Sequence, residues 1–238
     1  MPTSAQPHFI TKNRLLAALP RQEYERLAPH LEPTHLPRGK TIALTGETLR
    51  YAYFPNNGMI SLLSTSEGGE AIEVAMVGSE GFVGVPIILK VGVTPYWSIV
   101  QIQADAMRIS AAALGKEFDR GGQLHDLLLK YTHSLLTHVS QSAVCNRFHT
   151  VQARLCRWLL LSRDRIKSDT INLTQESIAQ MLGTARTGVT MAAIPLQDAG
   201  LIRYRRGKIT ILDREGLESA ACECYSIVRK EVSHVLAA

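Results

Sequence analysis

The chain has 238 residues, of which 45% are hydrophobic and 20% charged, and its formal net charge is +5. That balance supports a buried core and excludes a mostly disordered chain, no apolar run approaches the roughly 18 residues of a membrane span, and four cysteines are too few for a disulfide scaffold, which points to a reducing cytoplasm. The charge is uneven: residues 1–120 carry 11 Lys+Arg and 11 Asp+Glu, residues 121–238 carry 15 and 10, and the stretch 147–208 holds 11 against 4. A neutral half joined to a basic half suggests a polyanion-binding module attached to something else, with a merely solvated basic surface as the plainer alternative.

The opening MPTSAQPHFITKNR lacks the basic-then-apolar layout of a secretory signal. Asn13 can cap a short helix over 14–19, and Pro20 suits the start of a second over 21–30, with Tyr24, Leu27 and Leu31 on one face. From 36 to 109 the pattern changes to short runs between turn signals: YAYF (51–54), MISLLS (59–64), AIEVAMV (71–77), SIVQIQ (98–103) and AMRIS (106–110). Helix is the rival for AIEVAMV, but its β-branched residues favour strand. NNG (56–58) reads as a hairpin turn and EGG (67–69) as a weaker one. This spacing predicts a compact β-roll or jelly roll. Glu67, Glu70, Glu73 and Glu80 are expected on a solvated hairpin face.

After Gly121-Gly122 the spacing predicts a helix over 123–146, about 36 Å long. One stripe runs Leu124, Leu128, Tyr131, Leu135, His138, Ser142 and Cys145. A parallel stripe runs Leu129, Thr132, Leu136, Val139 and Ala143. A seam this long needs a partner. It can pack on its own β domain; the favoured expectation is a two-helix dimer seam carried by Leu124, Leu128, Tyr131, Leu135, Leu136 and Val139. A further helix over 151–165 places Leu155, Trp158 and Leu159 on one side and Arg154, Arg157, Arg163 and Arg165 elsewhere.

Residues 171–212 carry the functional pattern. Thr174 can cap a helix with Glu176 in its first turn and Ile178, Ala179 and Leu182 facing inward. Gly183 supplies a tight turn. Thr184 can cap a second helix over 185–198, with Val189, Ala193 and Leu196 inward and Arg186, Thr187, Thr190 and Met191 outward. LIRY (201–204) and KITIL (208–212) form a hairpin around Arg205-Arg206-Gly207. Helix, glycine turn, helix and basic hairpin predict a winged helix-turn-helix, whose second helix enters the DNA major groove. The residues expected at DNA are Thr174, Gln175, Thr184, Ala185, Arg186, Thr187, Thr190 and Met191, with Arg205, Arg206 and Lys208 on phosphates.

Over nearly its whole length the chain resembles the Crp/Fnr family (the cyclic-AMP receptor and fumarate-nitrate regulators). LTQESIAQMLG is similar to the family's first DNA-binding helix and turn, AGLIRYRRGKITILDREGLE to its wing and following helix, and RGKTIALTGE, YFPNNGMISL and GSEGFVG to its β-roll. The tail CECY (222–225) resembles one subgroup. The resemblance implies an α+β protein with a cyclic-nucleotide-binding-like β-roll sensor domain (1–122), a dimerisation helix (123–146) and a winged helix-turn-helix DNA-binding domain (147–238). It also implies a homodimeric transcription regulator rather than an enzyme, with RNA polymerase and a small-molecule effector as further partners and no membrane association.

Departures sharpen that expectation. Relatives that bind cyclic nucleotides carry a Gly-Glu pair and, about ten residues on, an Arg-Ser or Arg-Thr pair. Here Val85 follows Gly84, and 84–100 contains no arginine and one lysine, Lys90. A buried phosphate without a paired cation is costly, so cyclic AMP is not expected. The first cysteine is Cys145, far from the N-terminal cysteine group of the iron–sulfur relatives, and His8 alone gives no reason for haem. In the reader helix Arg186 matches the family's first base-reading position, Thr187 replaces an acid, and Met191 offers apolar contact only. Pro195 removes the hydrogen bond to the Met191 carbonyl and should bend the helix, shifting the packing of Leu196. Met191 and Pro195 motivate the alternative function: a ligand- or redox-sensing protein with weakened DNA binding, acting through protein partners. Cys222 and Cys224 would share a metal only across a non-helical turn. Cys145, His149 and Cys156 lack a zinc-site spacing, and His133 and His138 read as polar helix positions, so no metal or cofactor is expected.

Overall fold

The computed structural model describes residues 11–236, which leaves His8 outside the described residues. Asn13 caps α1 (Arg14–Ala17) through Oδ1, which accepts from the Leu15 and Leu16 amides at 3.1 and 3.2 Å, while its Nδ2 donates to the Pro55 and Gly81 carbonyls, both at 2.8 Å. A single buried amide therefore ties the first helix to the domain that follows. After Pro20, α2 (Arg21–Leu27) tightens into a 3-10 turn over Ala28–His30.

Seven strands then build the roll: β1 (Glu32–Leu36), β2 (Thr41–Ala43), β3 (Tyr51–Pro55), β4 (Met59–Thr65), β5 (Ala71–Val77), β6 (Trp97–Ile102) and β7 (Ala104–Ser110). They form two antiparallel sheets, ordered β1-β7-β3 and β2-β6-β4-β5. β1 starts before the expected boundary, and its Pro33 is tolerated because the strand lies at a sheet edge. EGG does close a hairpin, with Thr65 of β4 opposite Ala71 of β5. NNG does not, because β3 and β4 lie in different sheets. Its side chains are spent as braces: Asn56 Oδ1 accepts from the Lys12 and Asn13 amides at 3.0 Å, and Asn57 Oδ1 accepts from the Asp105 amide at 2.8 Å. Gly58 presses so closely on Gln103 that a Cβ would lie 2.2 Å from its carbonyl oxygen. The chain turns a corner there instead of folding back. Two short helices complete this part, α3 (Val85–Ile88) and α4 (Ala111–Phe118). Helix α4 lies outside the elements expected from the sequence; its cap is Ser110, whose Oγ accepts from the Ala113 amide at 3.2 Å.

Helix α5 (Gln123–Phe148) has 26 residues, about 39 Å at 1.5 Å per residue. Its burial corrects the seam expectation. Leu124, Leu128, Tyr131 and Leu135 are buried within the chain's own core and are not available to a second copy. Tyr131 lies against Phe82, and its ring occupies the space a Cβ on Gly81 would fill. Leu136 remains exposed and Val139 half-buried.

The rest comprises α6 (Val151–Ile166), β8 (Thr170–Asn172), α7 (Gln175–Leu182), α8 (Arg186–Asp198), β9 (Ile202–Arg205), β10 (Lys208–Ile211), α9 (Arg214–Ala220) and α10 (Cys224–Leu236). Strand β8 joins the wing as a third strand, in the order β8-β10-β9. Helix α10 returns along α5 in the opposite direction. Cys224 lies beside His149, His133 faces Glu231 at 3.5 Å, and Val235 packs in the cluster that holds Leu124 and Leu127. Among the described residues no helix is long and apolar enough to cross a membrane.

The roll and the C-terminal part share one core, in which Met59, Leu63 and Met76 pack with Trp158 and Leu159. Glu73 and Glu80 sit in this junction and are buried, contrary to the expected solvated face. Trp158 Nε1 donates to Glu73 Oε1 at 2.8 Å, and Ser61 Oγ donates to the other oxygen. Arg165 Nε lies 2.8 Å from Glu80 Oε1, with both side chains buried. Hairpin placement sets the face, but the docked α6 decides the burial.

Burial pushes the Glu73 carboxyl up to about 7, against the pull of Ser61, Trp158, Arg157 and Arg165. The folded chain thus holds this proton more tightly than the unfolded one. The stability it contributes is full below the ordinary value of 4.5 and is lost as pH rises to about 7. The difference is worth about 3 kcal/mol. Glu73→Gln keeps a hydrogen-bonding side chain and removes that dependence. Urea titrations should therefore show the stability of the wild type falling between about pH 5 and pH 8 by about 3 kcal/mol more than that of the variant.

Candidate nucleic-acid interface

Thr174 caps α7 as expected, its Oγ1 accepting from the Ser177 amide at 3.1 Å with Glu176 in the first turn. Gly183 ends the helix in the left-handed region at φ 56°, and the Thr184 amide donates back to the Ala179 carbonyl at 3.0 Å. A side chain at 183 would be strained and would also strike Ile72 of β5 at 2.4 Å. The turn of the motif is therefore seated directly on the roll. The next helix begins at Arg186. Its N-cap is Ala185, which makes no side-chain cap bond, so Thr184 does not cap it.

Val189, Ala193 and Leu196 of α8 are buried, together with Ala192. Arg186, Thr187, Met191 and Ile194 are exposed on the outer face and Thr190 is half-buried, with its hydroxyl bonded to the Arg186 carbonyl at 3.2 Å. The helix runs unbroken through Pro195, and Leu196 keeps its place at 1% exposure, so the expected shift in its packing does not occur. Arg186 Nε lies 3.3 Å from Gln175 Oε1, which joins the starts of the two helices.

The wing is the β9–β10 hairpin, with Arg205 opposite Lys208. Its two-residue tip, Arg206-Gly207, has φ 48° and 73°, the pair of positive values of a type I′ turn. Tyr204 braces its base: the phenol donates to the Leu173 carbonyl at 3.2 Å, and the amide donates to Gln197 Oε1 at 2.9 Å. Thr174, Gln175, Arg186, Thr190 and Arg206 come together around an open groove of about 590 Å³, floored by Ala193 and Tyr204. Thr187 and Met191 lie on the same helix, and Arg205 and Lys208 on the adjoining wing, all exposed.

The basic segment is less exposed than its composition implies. Arg154, Arg157 and Arg165 are buried. Arg157 Nη2 donates to Ser142 Oγ at 2.8 Å, and Arg154 Nη2 donates to Asn146 Oδ1 at 2.8 Å and to the Leu182 carbonyl. These arginines hold α6 against α5 and α7. Five of the exposed cations lie on the reader helix and wing, at Arg186, Arg203, Arg205, Arg206 and Lys208, while Arg147 and Lys167 are exposed at the ends of α5 and α6.

The structure also gathers donors that sequence spacing kept apart. Cys145, His149, Cys222 and Cys224 place their Sγ or ring-nitrogen atoms within 4.8 Å of one another. Cys156 lies in a different part of the core, where burial raises its thiol to about 12. The Cys145 thiol is lowered to about 5, first by its hydrogen bond with Cys222 and then by the charge of Arg157. The only sequence signal was conditional, the need for a non-helical turn between Cys222 and Cys224. That turn exists, because α9 ends at Ala220 and α10 begins at Cys224.

A trihelical core with a three-stranded wing, docked on a β-roll through a long helix, defines a winged helix-turn-helix DNA-binding protein. Residues 153–220 match the family model of the Crp-like helix-turn-helix domain. The chain is 24% identical over 213 residues to the global nitrogen regulator of Synechocystis sp., covering 85% of this chain and 93% of that protein. It is 24% identical over 202 residues to the CRP-like cAMP-activated global transcriptional regulator of Mycobacterium tuberculosis, covering 82% and 90%. A crystal structure of a Crp/Fnr-family transcriptional regulator from Eubacterium rectale superposes with a TM-score of 0.67 at 19% identity, covering 87% of this chain and 96% of that one. The chain is thus a Crp-like transcriptional regulator with a helix-turn-helix DNA-binding domain, similar over most of its length to regulators of the Crp/Fnr family.

Proposed function

We propose that the chain is a cytoplasmic homodimer that reads an inverted-repeat DNA site through α8, with half-sites about one helical turn apart. The observation that carries this reading is the joint exposure of Arg186, Thr187 and Met191 on α8 beside the basic wing tip. Arg186 is the base reader, able to engage guanine O6 and N7 together. Arg206, held out at the wing tip, has the geometry of a phosphate contact. Thr187 and Met191 favour a thymine methyl.

The dimer seam is the second stripe of α5, not the one buried in the core. Leu129, Thr132, Leu136, Val139 and Ala143 alternate by three and four residues, and Leu129 and Leu136 are 41% and 60% exposed. Thr132 and Val139 are half-buried at its edge, while Leu129, Leu136 and Ala143 stay exposed, and a strip with that repeat fits the same strip of a second copy. The roll is not a cyclic-AMP receptor. Lys90, the one cation in 84–100, is turned outward to Asp119 at 3.0 Å, and Leu36, Ile60, Leu62, Val77 and Val100 pack into one buried apolar cluster inside the roll.

Selection of bound duplexes from a random pool at about 0.15 M salt tests the reading, since nonspecific phosphate binding is partly screened there. The expected product is an enriched inverted repeat, unchanged by added cyclic AMP. Arg186→Ala should lose preference at one base pair per half-site, a cost of about 1–3 kcal/mol. Arg206→Ala should weaken all sequences alike and reduce the salt slope by about one per protomer. No enrichment by the folded dimer would favour the protein-partner reading instead.

Leu136→Glu puts a charge at the centre of the proposed seam, and sedimentation equilibrium should show a folded monomer. Leu128→Ala should instead leave the dimer seam intact and destabilise the fold by about 2–5 kcal/mol, seen as a lower urea midpoint.

A further inference from the structure

The start of α5's final turn, the linker to α6 and the break between α9 and α10 converge on one buried point. Cys145 is on α5, His149 is its C-cap residue, Cys222 is in the break, and Cys224 opens α10. The three cysteines are buried and His149 is half-buried. Cys145 Sγ and Cys222 Sγ are 3.5 Å apart, and Cys224 Sγ lies 3.7 Å from His149 Nδ1. A tetrahedron with zinc–sulfur bonds near 2.3 Å and a zinc–nitrogen bond near 2.0 Å has edges of about 3.8 and about 3.5 Å. The observed separations match those edges, and an iron–sulfur cluster would spread four ligands wider than 4.8 Å allows.

The surroundings complete the set. His149 Nε2 lies 3.2 Å from Glu223 Oε1, so the ring donates its proton outward and presents Nδ1 to the cysteines. A carboxylate behind a histidine is the usual way a metal-bound ring is fixed. Among the described residues the Nε atoms of the buried Arg154 and Arg157 have no hydrogen-bond acceptor. Three thiolates, a neutral imidazole and Zn²⁺ sum to a charge of about −1, which suits a site walled by buried guanidinium groups.

We infer that Cys145, His149, Cys222 and Cys224 form a closed site for one zinc ion that clamps the end of α5 to the start of α10. Loading needs no oxidant: each of the three thiols gives up a proton as its sulfur binds, and His149 binds through neutral Nδ1. With four protein ligands no position is left for water or substrate, so the ion is structural. Its effect is to fix the DNA-reading domain on the long helix at the joint between them.

The test uses the full-length, tag-free protein purified under reducing conditions without chelator. Elemental analysis after gel filtration should find about one zinc per chain, retained in Cys156→Ser and reduced to under about a tenth in Cys224→Ser. Because Cys224→Ser alters a buried residue, the wild type supplies a second measurement. Chelator-stripped protein loaded with Co²⁺ should show thiolate-to-cobalt charge transfer and the intense visible bands of tetrahedral cobalt. The inference is overturned if folded wild type takes up no zinc when offered an equivalent, if its cobalt spectrum is octahedral, or if Cys224→Ser keeps the full zinc content. A Cys145–Cys222 disulfide in protein held under reductant, detected as a 2 Da mass loss (two hydrogens), overturns it as well.

Discussion

Glu73 lies where the β-roll meets α6, in a place with no water to solvate it. A carboxyl group there must be neutral or fully bonded, and it takes both routes: burial raises its proton affinity, while Trp158 and Ser61 occupy its two oxygens. Those bonds fix the roll and α6 in one relative position. Everything on the DNA-reading side hangs from α6, because α7, α8 and α9 all pack on it. The same contact brings Ile72 of β5 against Gly183, so the turn between the two DNA-binding helices rests on the roll. The orientation of Arg186 and of the wing is thus set by a buried polar contact some distance away in the chain.

Much of this was legible from local pattern. The winged helix-turn-helix was readable because capping at Thr174, the glycine at 183 and the apolar spacing of α7 and α8 are all satisfied within a few residues. The β-roll strands were readable for the same reason. The failures were all questions of what packs against what. NNG and EGG look alike as turn signals, and only contacts with Lys12, Asn13 and Asp105, distant in sequence, make the first a corner. Two leucine stripes run along α5, and periodicity cannot say which one the roll covers. Arg154, Arg157 and Arg165 read as surface charge because composition does not register burial, and Glu73 and Glu80 read as solvated for the same reason. Cys145 and Cys222 are separated by 77 positions along the chain, so no spacing rule could pair them.

Burial of those arginines also changes the meaning of the basic segment. Part of its charge is structural: Arg154 joins α6 to Asn146 of α5 and to the end of α7, and Arg157 joins α6 to Ser142 of α5. Such groups release no counterions when DNA binds, because they have none to release. The charge that matters to a phosphate backbone is therefore the smaller set on α8 and the wing. That set is concentrated on one face, which favours an oriented encounter over general polyanion affinity.

Helix α10 constrains how a signal could travel. It crosses from the helix-turn-helix part back onto the N-terminal part and lies antiparallel to α5, with Val235 packed among Leu124 and Leu127. Rotating the reader about the His149–Thr150 joint would strip α10 from α5 and expose Val235, now buried. It would also uncover the carboxyl group of Glu73. Exposing the valine alone forfeits about 1.5–3 kcal/mol. Within one protomer, then, the roll, α5 and the reader resist moving separately. In the proposed dimer the seam along Leu129, Leu136 and Val139 is the surface where a change in the roll shifts two readers at least cost, because sliding or splaying that strip breaks no buried contact inside either chain. Spacing between the two α8 helices, rather than the pose of each reader on its own roll, is the quantity such a signal would set.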